Sequence, residues 1–116
     1  MDKKYALYRS MGKRFDTPLV IDGITIKNTD MAILSEGNKL DRLGAGFFRM
    51  VNAEDSFEIT FPTDEVILVL KGICNIKVDD ELIKLEKGDV FYVRKGLTAA
   101  ISSDGDLEYL FVNLPH

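Results

Sequence analysis

From residue 19 to the end of the chain, short runs of β-branched and aromatic residues alternate with turns marked by Gly, Asn and Asp. No convincing helical pattern interrupts them. The densest part is residues 64–96, DEVILVLKGICNIKVDDELIKLEKGDVFYVRKG. Residues 66–70 form a nearly continuous apolar run that suits a buried strand, and Lys71-Gly72 reads as the turn that ends it. Residues 73–78 and 81–85 flank Asp79-Asp80, a pair able to supply a hairpin turn. Gly88-Asp89 then turns the chain into residues 90–93, and Lys95-Gly96 closes the block. Four strands this close, with no helix-length connection, are expected to be antiparallel neighbours.

The flanking segments carry the same signals. Residues 19–21 and 24–26 surround Asp22-Gly23, the pairing that a type I′ turn requires because both central residues need positive φ. Residues 28–30 turn into a strand at 31–34, and residues 35–41 read as a polar loop. Residues 43–51 are strand-like, with Gly44 and Gly46 either bending the strand or admitting something close to its backbone. That leaves the face of Arg49 open. Phe48 and Met50, with Phe47, can cover one sheet face as core or as a dimer surface. Residues 52–56 are a polar connection, and in residues 57–61 Phe57, Ile59 and Phe61 alternate with Glu58 and Thr60. Residues 99–101 read as a short strand, 102–106 as a turn and 107–114 as a last long strand. On that strand Asn113 shares parity with Leu107, Tyr109 and Phe111, so it becomes a candidate pocket residue if those three line the core. About ten strands with closely spaced turns predict an all-β barrel or double-sheet jelly roll. Residues 17–116 form this barrel, and residues 1–16, including Tyr5, Leu7 and Tyr8, a loosely held arm.

Composition narrows the class. A chain of 116 residues has room for one domain, and 46% hydrophobic with 29% charged residues is ordinary for a globular protein. The net charge of −4 speaks against nucleic acid as a partner. Cys74 is the one cysteine, set in a strand-like run, and reads as a reduced core residue of a cytosolic protein; the one histidine, His116, is far from it in sequence. The positively charged start, MDKKYALYRS, has no apolar segment behind it, so neither a signal peptide nor a membrane span is expected. Gly44 and Gly46 are not followed by a helix pattern, and no Gly-Lys-Ser/Thr occurs, so no phosphate cradle is expected.

The spacing from Glu65 to Gly72, and Gly88-Asp89 followed by Lys95-Gly96, resembles the two motifs of cupins. The phrases DEVILVLKG, KGDVFYVRKG and YLFVNLP, in that order, resemble most the ethanolamine utilization protein Q (EutQ) family. The resemblance implies an RmlC-like cupin, a double-stranded β-helix. Its metal positions fall by spacing on Glu58, Thr60, Glu65 and Ala99, with no imidazole among them, so a His-ligated transition metal is not expected. Glu58, Thr60 and Glu65 offer hard oxygen ligands that suit Mg²⁺ or Ca²⁺; with no cation bound, inward carboxylates need partners, and Lys95, Arg94 and Arg49 are the nearest cationic ones. The alternative is that Glu58 faces water at the barrel mouth. Tyr92 and Tyr109 either present hydroxyls to a ligand or sit at the core edge with the hydroxyl in water.

Three functions follow as expectations. The resemblance implies an accessory protein of ethanolamine utilization, associated with a bacterial microcompartment and its proteins, with an acetate kinase-type activity in which Glu58 and Glu65 hold Mg²⁺ and Lys95 or Arg49 meets phosphate. The second is a metal-free module that holds a small polar or anionic ligand. The third is a homodimer that displays an interaction surface without catalysis.

Overall fold

The computed structural model describes residues 7–37, 42–51 and 56–114. Tyr5, residues 38–41 of the loop read at 35–41, residues 52–55 of the connection read at 52–56, and His116 lie outside the described residues. Among the described residues a short 3-10 turn, Ser10–Gly12, precedes nine strands: β1 (Val20–Ile21), β2 (Ile24–Thr25), β3 (Thr29–Glu36), β4 (Gly44–Met50), β5 (Phe57–Thr60), β6 (Asp64–Val78), β7 (Glu81–Leu85), β8 (Val90–Val93) and β9 (Thr98–Leu114). β1 and β2 make a hairpin of their own, and the other seven form one antiparallel sheet in the order β3-β4-β9-β6-β7, with β5 on β9 and β8 on β6. The sheet wraps around an apolar core, as the all-β barrel reading expects.

The β6–β9 pair runs the length of the molecule and corrects two turns read from sequence. Lys71-Gly72 and residues 102–106 do not reverse the chain; both lie inside unbroken strands. The ladder slips between Val69 and Lys71 and again between Lys71 and Ile73, so Gly72 marks a bulge. Gly72 has φ +81° and Gly105, across the pair, has φ +81° as well. A Cβ on Gly72 would overlap the backbone carbonyl oxygen of Asp106, so only glycine lets the strands pass this closely. The bend divides each strand between two partners. The first half of β6 pairs with β8 and the second half with β7, whereas β9 pairs first with β5 and then with β4.

Other turns match their sequence signals. Asp22 and Gly23 have φ of 51° and 79°, as a type I′ turn requires. Asp79 carries a positive φ of 52° in the β6–β7 hairpin, a conformation that aspartate tolerates better than most residues. β3 is longer than its apolar stretch, because Thr29 and Asp30 pair with Met50 and Arg49. In β4, Gly44, Gly46, Phe48 and Met50 are buried while Ala45, Phe47 and Arg49 are half-buried on the other face. The glycines admit their register partners. A Cβ on Gly46 would come within 2.7 Å of the Phe111 ring, and one on Gly44 would overlap the Asn113 amide oxygen.

The core contains Phe48, Phe57, Phe61, Ile67, Ile76, Ile101, Leu107 and Tyr109, with Phe48 stacked on Tyr109 at 4.8 Å between ring centroids. Cys74 is fully buried among them, and burial pushes its thiol up to about 12, which keeps it protonated and inert. Of the N-terminal segment, Leu7 and Tyr8 are exposed, while the Lys13 ammonium meets Glu108 at 2.6 Å and lies over Phe47. Thr17 exchanges backbone hydrogen bonds with Met31.

Gly72→Ala is expected to cost about 3 kcal/mol or more, through the positive φ and the overlap with Asp106. Gly88→Ala, where nothing lies near a Cβ, meets only the conformational cost and loses on the order of 1 kcal/mol. Urea unfolding of both variants checks the difference.

Candidate functional site

A partly open cavity of about 150 Å³ lies at one end of the barrel, between β4, β5, β6 and β9 and under Leu19 and Met31. Its walls are Phe48, Phe57, Ile59, Phe61, Pro62, Ile101 and Phe111, and its polar groups come from Glu65, Tyr109 and Asn113. Strand parity places them. Glu65, Ile67 and Val69 share the inner face of β6, as Tyr109, Phe111 and Asn113 share that of β9. Glu65 is the register partner of Asn113 on one side and of Val93 on the other. Burial raises the Glu65 carboxyl to about 7, and its hydrogen bond with Asn113 partly offsets this. Tyr109 is buried, and desolvation followed by the charges of Glu65 and Cys74 holds its hydroxyl well above the usual phenol range.

Of the residues singled out from sequence, Glu65, Tyr109 and Asn113 meet in this cavity, whereas Glu58, Thr60, Arg49, Lys95 and Tyr92 do not. Glu58 and Thr60 are exposed on the outer face of β5, where the Thr60 hydroxyl meets that of Thr98 at 2.7 Å. The positions beside Glu65 in the cavity wall are Ile59 and Phe61, one residue away from those assigned by motif spacing. Alternation along β5 decides this: its apolar residues face the core, and its carboxylate and hydroxyl face water. Arg49 lies on the outer face of β4, where Nε and Nη2 donate to the two Asp30 carboxylate oxygens at 2.9 and 2.8 Å. This bidentate pair raises its guanidinium further above the ordinary range, and the guanidinium stacks over Phe15 at 4.3 Å. Lys95 sits in an exposed turn, tied by its backbone N–H to Asp64 at 2.8 Å. Tyr92 is 59% exposed on the outside of β8.

Sequence reasoning named Tyr109 but missed Leu19 and Met31. Tyr109 was legible by its parity with Asn113, but its burial depends on Phe48 across the sheet. Leu19, just before β1, and Met31, on β3, reach the cavity from outside the strands that form its walls, and no local pattern announces that. As for a metal, the cavity offers one carboxyl, one amide and one phenol, a donor set that does not fit an imidazole-type transition-metal centre. The Glu58–Glu65 pair read as a Mg²⁺ site is split between opposite faces of the wall. Among the described residues no group of three or more His, Cys, Asp or Glu is placed to hold a metal ion.

An antiparallel barrel with a ligand-sized cavity closed on one side by a β6–β9 corner is the architecture of a cupin. The family model for the ethanolamine utilisation protein EutQ matches residues 9–116, so the chain belongs to the EutQ family. Among solved structures it is similar to the EutQ protein of Clostridium difficile, with 24% identity, a TM-score of 0.67, and 75% of this chain and 68% of that one covered. It is similarly close to an ethanolamine utilization protein Q from Salmonella typhimurium, at 24% identity and a TM-score of 0.68 over 75% of this chain and 69% of that one. A cupin superfamily protein from Desulfitobacterium hafniense matches at 25% identity and a TM-score of 0.66, covering 78% and 80% of the two chains. Comparison with curated protein sequences finds none that matches.

A carboxyl whose value is raised on folding favours the native state while protonated. The unfolded chain gives up this proton near 4.5 and the native one near 7, so stability is full below about 4.5 and falls as pH rises through 7. The loss is on the order of 2 kcal/mol after allowance for partial exposure. Glu65→Gln is expected to remove this pH dependence and to be the more stable protein at pH 8, which thermal unfolding at pH 5 and pH 8 checks.

Proposed function

We propose that this EutQ-family cupin is a binding protein that takes one small molecule into its barrel cavity, within the ethanolamine utilisation that the family's description names. The observation that carries this reading is the convergence of Glu65, Tyr109 and Asn113 on a cavity whose other walls are apolar. An acetate kinase-type activity would require cationic groups at the transferring phosphoryl oxygens. Arg49 is committed to Asp30 on the outside, and Lys95 lies in a turn away from the cavity, so the arrangement favours binding over phosphoryl transfer. An anionic ligand is likewise disfavoured, because among the described residues Glu65 is the charged group of the lining. Among the described residues no helix is long and apolar enough to cross a membrane.

The test pairs two measurements. The methyl groups of Met31, Ile59 and Ile101 line the cavity and are expected to shift in carbon-edited NMR when a screen of small molecules supplies a ligand. Phosphorus NMR of the protein with Mg²⁺, acetyl phosphate and ADP is expected to show no exchange above background. Turnover that Glu65→Gln abolishes would overturn the binding reading in favour of catalysis.

A second reading, pairing of two copies, rests on the outer face of β8-β6-β9. Residues 66–70 are apolar at every position, and those not facing the core stand on this outer face. There Val66, Tyr92 and Leu114 are 37%, 59% and 43% exposed, beside Val112 and Leu43. A sheet face turned to water would alternate with polar residues, which this one does not. Leu43, Val66, Tyr92, Val112 and Leu114 make most of this patch, and Asp64, Glu65 and Asn113 are its polar members. Sedimentation is expected to find a dimer, and Val112→Lys a monomer. A monomeric wild type would overturn the pairing and leave the face to another protein, such as a microcompartment component.

A further inference from the structure

We infer that the cavity selects a small organic cation, an alkylammonium whose charge meets Glu65 and whose carbon body packs on the aromatic walls. The inference rests on the reading of the cavity as a binding site and adds the chemistry of its occupant. Five of the lining side chains are aromatic: Phe48, Phe57, Phe61, Tyr109 and Phe111. Ring faces carry partial negative charge, so walls of this kind favour a cation that also sheds its water, and a carboxylate among them adds a full charge of the same sign.

Glu65 lacks what a buried carboxylate needs. Its hydrogen-bond partner is the neutral Asn113 amide, and among the described residues no Lys, Arg or His lines the cavity. Across β8 it faces Val93, across β9 Asn113 and Tyr109, and its chain neighbour Asp64 is turned outward to Lys95. Tyr109 and Cys74, the other titratable groups nearby, stay neutral through the physiological range because burial raises both. Each ligand charge therefore has a different outcome. An anion meets repulsion, a neutral molecule leaves Glu65 to keep its proton, and a cation supplies the missing partner and draws the ionised form. Size sets the last limit, since a cavity of about 150 Å³ holds a molecule of roughly benzene size, about six heavy atoms.

The experiment titrates three probes of equal chain length, butylammonium, butanol and butyrate, into the protein at pH 7.5, read on the methyl groups of Met31, Ile59 and Ile101. Butylammonium is expected to bind at least about ten-fold more tightly than butanol, and butyrate not at all. Tetramethylammonium, which does not titrate, separates the pH response of the protein from that of the probe. Its affinity is expected to rise roughly ten-fold from pH 6 to pH 8, following the ionised fraction of Glu65. In Glu65→Gln the preference for the cation and the pH response are expected to vanish while butanol still binds. Butanol or butyrate binding as tightly as butylammonium in the wild type would overturn the cation and leave the cavity as a neutral site. Methyl groups unmoved by every probe would overturn the cavity reading with it.

Discussion

The structure depends on the close crossing of β6 and β9. Gly72 passes so near the Asp106 carbonyl that no side chain fits between them, and the two bulges beside it allow both strands to bend without losing their ladder. Because each strand is continuous through the bend, one pair holds four further strands: β7 and β8 on β6, and β4 and β5 on β9. A reversal at Gly72 would have produced a meander instead. The bend produces a barrel, and the cavity forms where its inner faces converge.

The same crossing sets the chemistry. Register brings Glu65 beside Asn113, and Gly44 clears the space that the Asn113 amide occupies. The carboxyl thereby gains one neutral hydrogen-bond partner in an aromatic surrounding, and desolvation prevails over that bond in setting its proton affinity. The outer faces of the same strands tell a different story. Arg49, Asp30, Lys13 and Glu108 form ion pairs over Phe15 and Phe47, fastening the N-terminal segment to β4 and β9. These cations stabilise the shell of the molecule and leave the cavity, among the described residues, with Glu65 as its acidic group. Arg–carboxylate pairs on such half-exposed surfaces contribute modestly, so their main effect is to fix geometry.

Much of the barrel was legible in the chain, because alternation and turn chemistry are local. The Asp22-Gly23 hairpin, the Asp79-Asp80 turn and the inner parity of Asn113 follow from φ preferences and the two-residue period of a strand. The chain also named its family. Motif spacing by itself failed at β5, where it put Glu58 and Thr60 in the metal positions; the alternation of Phe57, Ile59 and Phe61, read first, would have put them outside.

Tertiary structure alone decided what happens at glycines and who stands opposite whom. Glycine in a strand signals a turn, a bulge or a close approach with equal force, and only the partner strand distinguishes them: Gly72 became a bulge because β9 lies against it. The proton affinity of Glu65 and the burial of Tyr109 arise from side chains up to 61 residues away in sequence, such as Phe48 stacking on Tyr109. Sequence determined which residues face inward, since that is a property of each strand. The fold determined which inward residues meet, since that is a property of register between strands far apart in the chain.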